Sequence, residues 1–241
     1  MPSRPENRVL ADLPPSDLAQ LAPWLRVVSL TPSTTQQSEL PADCLYFPHE
    51  GLLSMLAITP DGETIEIASA GRDGCLGPIL ASDMRDSLLV ALGPLRALQI
   101  PVARLQPILH ASETLGRALA ACREALLLQL RQNLVCGGLH PVERRLPRWL
   151  VETSDRLECD VIPATQEIVA QRLGVRRTTV TLLASKLQEI GAIHWGRSRV
   201  EILDRARLES ETCTCQRALR ERMSARPAID LRLPRQRSFG T

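Results

Sequence analysis

The stretch that decides the fold runs from residue 163 to residue 193 and reads PATQEIVAQRLGVRRTTVTLLASKLQEIGAI. Two short amphipathic segments flank Gly174, and each repeats its apolar residues at helical spacing. The glycine lies where a tight turn between two helices needs a residue without a Cβ. The segment therefore predicts a helix-turn-helix, a motif whose second helix can enter the major groove of DNA.

The second predicted helix has a polar face that carries hydrogen-bond donors and no acid. Its members are Arg176, Arg177, Thr178, Thr181, Ser185 and Lys186. In a DNA-binding helix-turn-helix, the N-terminal residues of the second helix lie nearest the base edges. We interpret this face as a surface for double-stranded DNA. The alternative interpretation is a helical hairpin that packs on another element and leaves its charges in solvent.

The residues after this helix predict a basic β-hairpin. Gly191 is a C-terminal stop for the helix, and two short alternating segments surround the turn at 196–198. A helix-turn-helix followed by such a hairpin is a winged helix, whose tip would bring Arg197 and Arg199 to phosphate or to the minor groove. The candidate DNA-binding residues are Gln166, Arg176, Arg177, Thr178, Thr179, Thr181, Lys186, Arg197 and Arg199.

The charge of the chain is distributed unevenly. The 241 residues carry a formal net charge of only +2. Residues 164–207 hold eight bases and four acids, a net +4, and residues 217–241 hold seven bases and two acids, a net +5. The front of the chain is therefore acidic and the back basic, as expected of a protein whose rear half meets a polyanion.

The N-terminus and the cysteines indicate a cytoplasmic protein with no membrane partner. The chain opens with polar residues and no apolar signal region follows. Seven cysteines, an odd number, favour reduced thiols. The pair Cys213-Thr-Cys215 is the only close one, and no second cluster in the sequence completes a four-ligand set. We therefore predict incidental or structural thiols and no metal site.

The fold class predicted from the whole chain is α+β. Residues 13–103 contain short strands separated by turn residues, with the clearest hairpin at Asp61-Gly62. They predict an antiparallel β-roll of the cupin or jelly-roll kind, preceded by a short helix from Pro14 and a loose arm over residues 1–12. The predicted strands are Arg26–Leu30, Cys44–Pro48, Gly51–Thr59, Thr64–Ala70, Leu88–Leu92 and Leu95–Ile100.

A long helix over residues 104–138 should link the β-roll to the winged helix at 139–210. Its apolar residues recur at steps of three and four, close to a coiled-coil seam. We predict a dimerisation helix, and the alternative is that this stripe packs on the chain's own barrel. The predicted seam is Leu115, Leu119, Cys122, Leu126 and Leu130. Gly137-Gly138 should end the helix and act as a hinge, and residues 211–241 should be a basic, disordered tail.

Five motifs together resemble the Crp/Fnr family of bacterial transcription regulators, over roughly Leu13 to Cys215. They are LHPVERRLPRWL at 139–150, LGVRRTTVTLLASKLQEIG at 173–191, GRSRVEILDR at 196–205, YFPHEGLLS at 46–54 and GRDGCLG at 71–77. The last two resemble the sensor domain of that family, which has the cyclic-nucleotide-binding fold. The resemblance implies a homodimer that binds a palindromic operator and contacts RNA polymerase.

The recognition helix departs from the family pattern. The family reads bases with Arg-Glu-x-x-x-Arg, and here Arg177 matches the first arginine. Thr178 stands at the glutamate and Leu182 at the second arginine. The operator should therefore differ from that of the family's founder. Arg177 is the best candidate for direct readout of a guanine.

The sensor half departs from the family further. The family's Phe-Gly-Glu turn is missing, and the candidate phosphate ligand, Arg85, is followed by an aspartate that would compete for it. These differences argue against a cyclic nucleotide. Residues 1–43 contain no cysteine, which argues against the family's iron–sulfur cluster. We predict no cofactor, while haem ligation by His49 or His110 stays open.

Three functions are weighed from the sequence. The first is a regulator that responds to a ligand such as a cyclic nucleotide or haem. The second is a dimeric DNA-binding adaptor without a ligand. The third, an enzyme, is not predicted, because the sequence has no glycine-rich phosphate loop, nucleophile elbow or HExxH motif.

Overall fold

A computed structural model describes residues 6–31, 39–78 and 86–224. The N-terminal part of the chain forms an antiparallel sheet, two helices follow it, and the C-terminal part forms a helical domain with a small sheet. The strands are β1 Arg26–Leu30, β2 Glu39–Leu40, β3 Cys44–Ile58, β4 Thr64–Ala70, β5 Ser87–Pro101, β6 Val161–Ile162, β7 Ile193–Trp195 and β8 Val200–Ile202. The helices are α1 Arg8–Ala11, α2 Pro15–Leu21, α3 Val102–Ala111, α4 Glu113–Leu139, α5 Val142–Leu157, α6 Gln166–Leu173, α7 Arg177–Glu189, α8 Arg205–Ser210 and α9 Cys215–Ser224.

The N-terminal sheet domain is built around two long strands, β3 and β5. The sheet has the order β1-β5-β3-β4, with β2 also paired to β5, and every pairing is antiparallel. Each long strand merges two segments that the sequence predicted as separate strands. The register of β3 against β5 shifts around Glu50, and such bulges let one strand bend without ending.

The first described residues pack on this sheet. Asn7 is fully buried, and its side-chain oxygen caps α1 by accepting from the backbone of Val9. Its amide nitrogen donates to the carbonyl oxygens of Pro48 and Gly74, each at 2.9 Å. The predicted loose arm is therefore wrong for residues 7–12, because a buried and fully bonded asparagine anchors them.

Two helices, and not one, follow the sheet. Ser112 separates α3 from α4, and its hydroxyl both accepts from the backbone of Leu115 and donates to Asp17 at 2.6 Å. At its other end α4 runs to Leu139, so the pair 137–138 lies within its last turn. The prediction of one helix over 104–138 that ends in a glycine hinge is corrected on both counts.

The face of α4 that the sequence assigned to a dimer packs on the sheet domain. Leu115, Leu119, Cys122 and Leu126 are buried in the core of that domain, and Leu130 packs partly buried against it. Polar contacts reinforce the docking: Gln129 exchanges two hydrogen bonds with the backbone of Ser69, and Asn133 donates to the carbonyl of Ile67. The predicted seam is thus intramolecular, because these apolar side chains cover the sheet.

The C-terminal domain has its own apolar core, to which the sheet domain contributes. Helices α5, α6 and α7 and the strands β6, β8 and β7 surround it. Leu52 and Leu92 of the sheet domain belong to the same cluster. The approach is close, since a Cβ on Gly93 would lie 2.3 Å from the ring of Pro163. The two domains are therefore packed directly against each other through apolar side chains of both.

Part of the predicted tail is ordered. α9 spans Cys215–Ser224, and Cys213, Gln216 and Leu219 are buried. The prediction of disorder is therefore wrong for residues 211–224, where a few buried side chains hold a helix against α4. The remaining residues of the predicted tail lie outside the described residues. Among the helices that the structure does describe, none has the length and apolar character to cross a bilayer.

Candidate nucleic-acid interface

The helix-turn-helix forms as the sequence predicts. Thr165 caps α6 by accepting from the backbone of Ile168 at 3.2 Å. The helix ends at Gly174, whose φ of 62° lies in the left-handed region and whose N–H satisfies the last carbonyls of α6. Residue Arg176 then precedes α7. The turn therefore depends on a residue that tolerates a positive φ.

One face of α7 is fixed by the core, and this decides which face reaches solvent. Val180, Leu183, Ala184 and Leu187 are buried in the apolar cluster of the C-terminal domain. Because these residues recur at helical spacing, the residues between them must point away from the domain. The polar face predicted to contact DNA is therefore the solvent face.

The predicted contact residues lie on this solvent face. Thr179 is half-buried, and the other predicted residues of α7 and its N-cap are exposed; they are Arg176, Arg177, Thr178, Thr181 and Lys186. The three basic side chains have no ion pair within the described part of the chain. Leu182 is also 60% exposed on this helix, so the face combines donors with one apolar contact.

The start of α6 is linked to the middle of α7 by side chains. Thr181 donates its hydroxyl hydrogen to the side-chain oxygen of Gln166 at 2.6 Å. This bond leaves both amide hydrogens of Gln166 available to another acceptor. The structure therefore brings Gln166 to the same surface as the residues of α7, as the sequence predicted.

The wing forms from β7 and β8. The two strands pair antiparallel, and the N–H of Gly196 donates to the carbonyl of Arg199 at 2.9 Å across the tip. Arg197 and Arg199 are exposed there. β8 also pairs with β6, which anchors the wing to the domain. The wing thus adds two bases to the surface.

Three other arginines that contribute to the basic sequence of this region are either buried or bonded to groups of the same domain. Arg205 pairs with Asp155 and Glu209, and Arg207 bonds to the carbonyl of Ile190. The third, Arg172, is 1% exposed. Within the described residues, the exposed bases of this region that make no ion pair are Arg176, Arg177, Lys186, Arg197 and Arg199.

Arg172 instead belongs to the contact between the two domains. Its Nε lies 3.6 Å from Oε2 of Glu66 on β4. The other oxygen of Glu66 accepts from Nε1 of Trp149 at 3.1 Å. Burial lowers the pKa of Arg172, and the carboxylate of Glu66 opposes that shift. One carboxylate of the sheet domain therefore contacts two helices of the C-terminal domain, α5 and α6.

Comparison with protein families identifies the C-terminal domain. Residues 144–211 match the Crp-like helix-turn-helix domain. The chain carries a Crp-like helix-turn-helix domain. No curated protein matches the chain.

Solved structures of low identity share the fold over most of the chain. FixK2 from Bradyrhizobium japonicum is 17% identical, with a TM-score of 0.66, over 79% of this chain and 98% of FixK2. A CRP/FNR-family transcriptional regulator from Thermus thermophilus is 21% identical, with a TM-score of 0.58, over 84% and 100%. CLP from Xanthomonas campestris, a c-di-GMP-responsive global regulator, is 18% identical, with a TM-score of 0.62, over 78% and 98%. The Crp-like domain therefore lies within a Crp/Fnr fold.

The structure describes two of the three residues that the sequence offered as sensor ligands. Arg85, the candidate phosphate ligand, falls outside the described residues. His49 is buried on β3, while His110 is exposed at the end of α3. Burial lowers the pKa of His49, and the nearby Arg96 and Arg72 act in the same direction. The structure does not bring these two histidines together.

A cluster of four potential metal ligands lies beside the Crp-like domain, and the sequence argument missed it. Cys136 and His140 at the end of α4 meet Cys213 and Cys215, and their ligand atoms all lie within 4.8 Å of one another. The prediction that no second group completes the cysteine pair is therefore wrong in geometry. The available signal was the short spacing of Cys136 and His140, two ligand types four residues apart at the end of the long helix.

Proposed function

We propose that this protein is a sequence-specific DNA-binding transcription regulator that acts as a homodimer on a palindromic operator. The observation that carries the proposal is the solvent face of α7 and its N-cap. Its three bases, Arg176, Arg177 and Lys186, make no ion pair within the described residues, and the helix contains no acid before its last residue, Glu189. Binding of such a face to DNA phosphates releases condensed counterions, and this release favours the complex. A cytoplasmic location and the lack of an enzymatic activity fit this role and are part of the proposal.

Arg177 and Leu182 are the proposed base readers. An arginine near the start of a recognition helix can donate two hydrogen bonds to O6 and N7 of guanine. Leu182 lies five residues further along α7, and its 60% exposure leaves an apolar side chain for the C5-methyl group of thymine. The half-site should therefore contain a guanine and a thymine within one stretch of the major groove.

The other surface residues are proposed to position the helix. Thr178, Thr179, Thr181 and Lys186 lie on or beside the face, and Gln166 is held to it by Thr181. Arg176, Arg197 and Arg199 flank it and are suited to phosphate. Contacts of this kind fix the register of the protein on the duplex but do not read its sequence.

The proposed dimer uses the face of α4 that the sheet does not cover. Leu127 and Leu134 are 49% and 79% exposed and lie seven residues apart, the repeat of a coiled-coil seam. Two copies of α4 that pack through these leucines would place two recognition helices on one duplex. Contact with RNA polymerase is proposed from the family resemblance alone.

The sheet domain is proposed to hold no resident cyclic nucleotide. The support comes from the sequence: the Phe-Gly-Glu turn of the family is missing, and an aspartate follows Arg85, where it would compete for the arginine and repel a phosphate. In this proposal the sheet domain serves to carry and orient the DNA-binding domain.

The proposal is tested by measuring DNA affinity against salt. Selection from random duplexes would first supply a preferred site, and fluorescence anisotropy would then compare that site with random DNA. Arg177→Ala should weaken the preferred site by roughly 10- to 100-fold and leave random DNA nearly unchanged. Arg199→Ala should weaken both equally and reduce the salt slope by about one for each phosphate that the variant no longer neutralises.

The control is Arg117→Ala, which removes an exposed arginine from α4, away from the proposed DNA surface. It should bind as the wild type does. If Arg177→Ala weakened binding to both DNAs equally, or if Arg117→Ala matched Arg199→Ala, the proposed surface would be wrong.

A further inference from the structure

We propose that Cys136, His140, Cys213 and Cys215 form a binding site for one Zn²⁺ ion, which fastens the C-terminal helix α9 to the end of α4. Three thiols and an imidazole are a common ligand set for structural zinc. The proposal does not depend on DNA binding, and the two can fail separately.

Two parts of the chain supply the ligands in pairs. Cys136 lies in the last turn of α4, and His140 is the residue that caps this helix, with its backbone N–H donating to the carbonyl of Cys136 at 3.1 Å. Cys213 and Cys215 lie where the chain enters α9, and Cys213 is buried. The four residues thus come from segments that are more than seventy positions apart, and an ion would crosslink those segments.

Two of the distances between ligand atoms match those around one tetrahedral ion, and all four atoms lie within 4.8 Å of one another. The sulfurs of Cys136 and Cys213 are 3.8 Å apart, as are the sulfur of Cys215 and Nδ1 of His140. A Zn–S bond of about 2.3 Å places the sulfurs of one tetrahedron about 3.8 Å apart. An iron–sulfur cluster would spread the cysteines over several irons and hold them farther apart. The geometry therefore favours a mononuclear site.

The surrounding side chains provide an independent indication. Arg148 is 6% exposed, and its Nη1 donates to the sulfur of Cys136 at 2.9 Å. Gln132 donates to the same sulfur at 3.4 Å. Buried donors of this kind orient metal-bound thiolates and offset their charge. Three thiolates and Zn²⁺ carry a net charge of about −1, and the guanidinium of Arg148, which also lies 3.5 Å from a carboxylate oxygen of Glu152, would offset part of it.

The site lies at the junction between the domains. α5, the first helix of the Crp-like domain, begins at Val142, two residues after His140. An ion there would hold the end of α4, the start of α5 and the entry to α9 in one arrangement. Removing the ion should therefore loosen α9 before it unfolds either domain.

The first test is the zinc content of the full-length chain, purified under reducing conditions from zinc-supplemented cells without a metal-binding tag. We expect about one zinc per chain, and less than about a tenth of that in Cys213→Ser and Cys215→Ser, because three remaining ligands bind far more weakly. The matched control is Cys159→Ser, an exposed cysteine outside the cluster, which should keep its zinc.

A second measurement is the visible spectrum of cobalt bound in place of zinc. Cobalt added to the metal-free full-length chain should give the visible bands of a tetrahedral ion with thiolate charge transfer. Arg148→Lys should weaken zinc binding by roughly 10- to 100-fold. An octahedral cobalt spectrum, wild-type protein without zinc, an iron–sulfur chromophore, or equal zinc loss in Cys159→Ser and Cys213→Ser would each overturn the proposal.

Discussion

The charge of Glu66 should be essential to the contact between the domains, and Glu66→Gln isolates that charge. Glutamine keeps an acceptor for Nε1 of Trp149, which bonds to Glu66 at 3.1 Å. It removes the carboxylate that faces Arg172 at 3.6 Å. Within the described residues, none of the three guanidinium nitrogens of Arg172 makes a hydrogen bond. The substitution therefore leaves a buried cation without compensation.

The expected magnitude follows from the distance. Two unit charges 3.6 Å apart attract by about 4–5 kcal/mol at an effective dielectric constant of about 20. Breaking one side of a buried pair typically costs about 3–5 kcal/mol. Glu66→Gln should therefore lower the free energy of unfolding by about 3–5 kcal/mol. Removing both charges, in Glu66→Gln with Arg172→Met, should restore it to within about 1 kcal/mol of the wild type.

Urea unfolding followed by tryptophan fluorescence and far-ultraviolet circular dichroism would measure these differences, since Trp149 lies at the contact itself. The matched control is Glu63→Gln, an exposed acid on the hairpin that leads into β4, which should change stability by less than about 0.5 kcal/mol. A loss below about 1 kcal/mol in Glu66→Gln, or a double variant no more stable than the single one, would refute this electrostatic account.

Three further predictions concern a histidine, the dimer and a turn. Burial lowers the pKa of His49 below its usual 6.5, so the unfolded chain binds the proton more readily and stability should decline as the pH falls below about 6.5. Urea unfolding at about pH 7.5 and about pH 5.5 should show this decline, and His49→Gln should reduce it. Leu134→Glu should give monomers in sedimentation, because it places a charge in the proposed dimer contact. Leu203 is also exposed but lies outside that contact, so Leu203→Glu should remain dimeric. A dimeric Leu134→Glu variant would contradict the proposed seam. Gly174→Ala should cost more stability than Gly62→Ala, because both have positive φ but only at Gly174 would the new Cβ lie 3.2 Å from a neighbouring side chain; equal losses in denaturation would contradict this.

The helix-turn-helix could be predicted because its determinants are local. Gly174 and the apolar residues on either side of it fix a turn and two helical faces within about thirty residues. The hairpin of the wing follows directly in the chain, so its position is also set locally. The exposed placement of Arg177 then follows from which face of α7 is apolar.

The errors arose where distant segments meet. Arg172 looks like a surface base in sequence, and only the fold shows that it is buried and faces Glu66. The stripe that includes Leu115 has the spacing of a dimer seam, yet the same spacing serves a helix that covers its own sheet. The pairing of Cys136 with Cys213 depends on how the chain returns after the DNA-binding domain, which no local pattern records.

Direct readout by α7 is tested most directly by guanine methylation interference on the duplexes selected from a random pool. The account predicts two interfering guanines in symmetric half-sites, about 10–10.5 base pairs apart from centre to centre or a multiple of that spacing. Interference at those guanines should disappear in Arg177→Ala and persist in Arg199→Ala. If the selection enriched no sequence, or if the interference pattern were unchanged in Arg177→Ala, the recognition surface assigned to α7 would be contradicted.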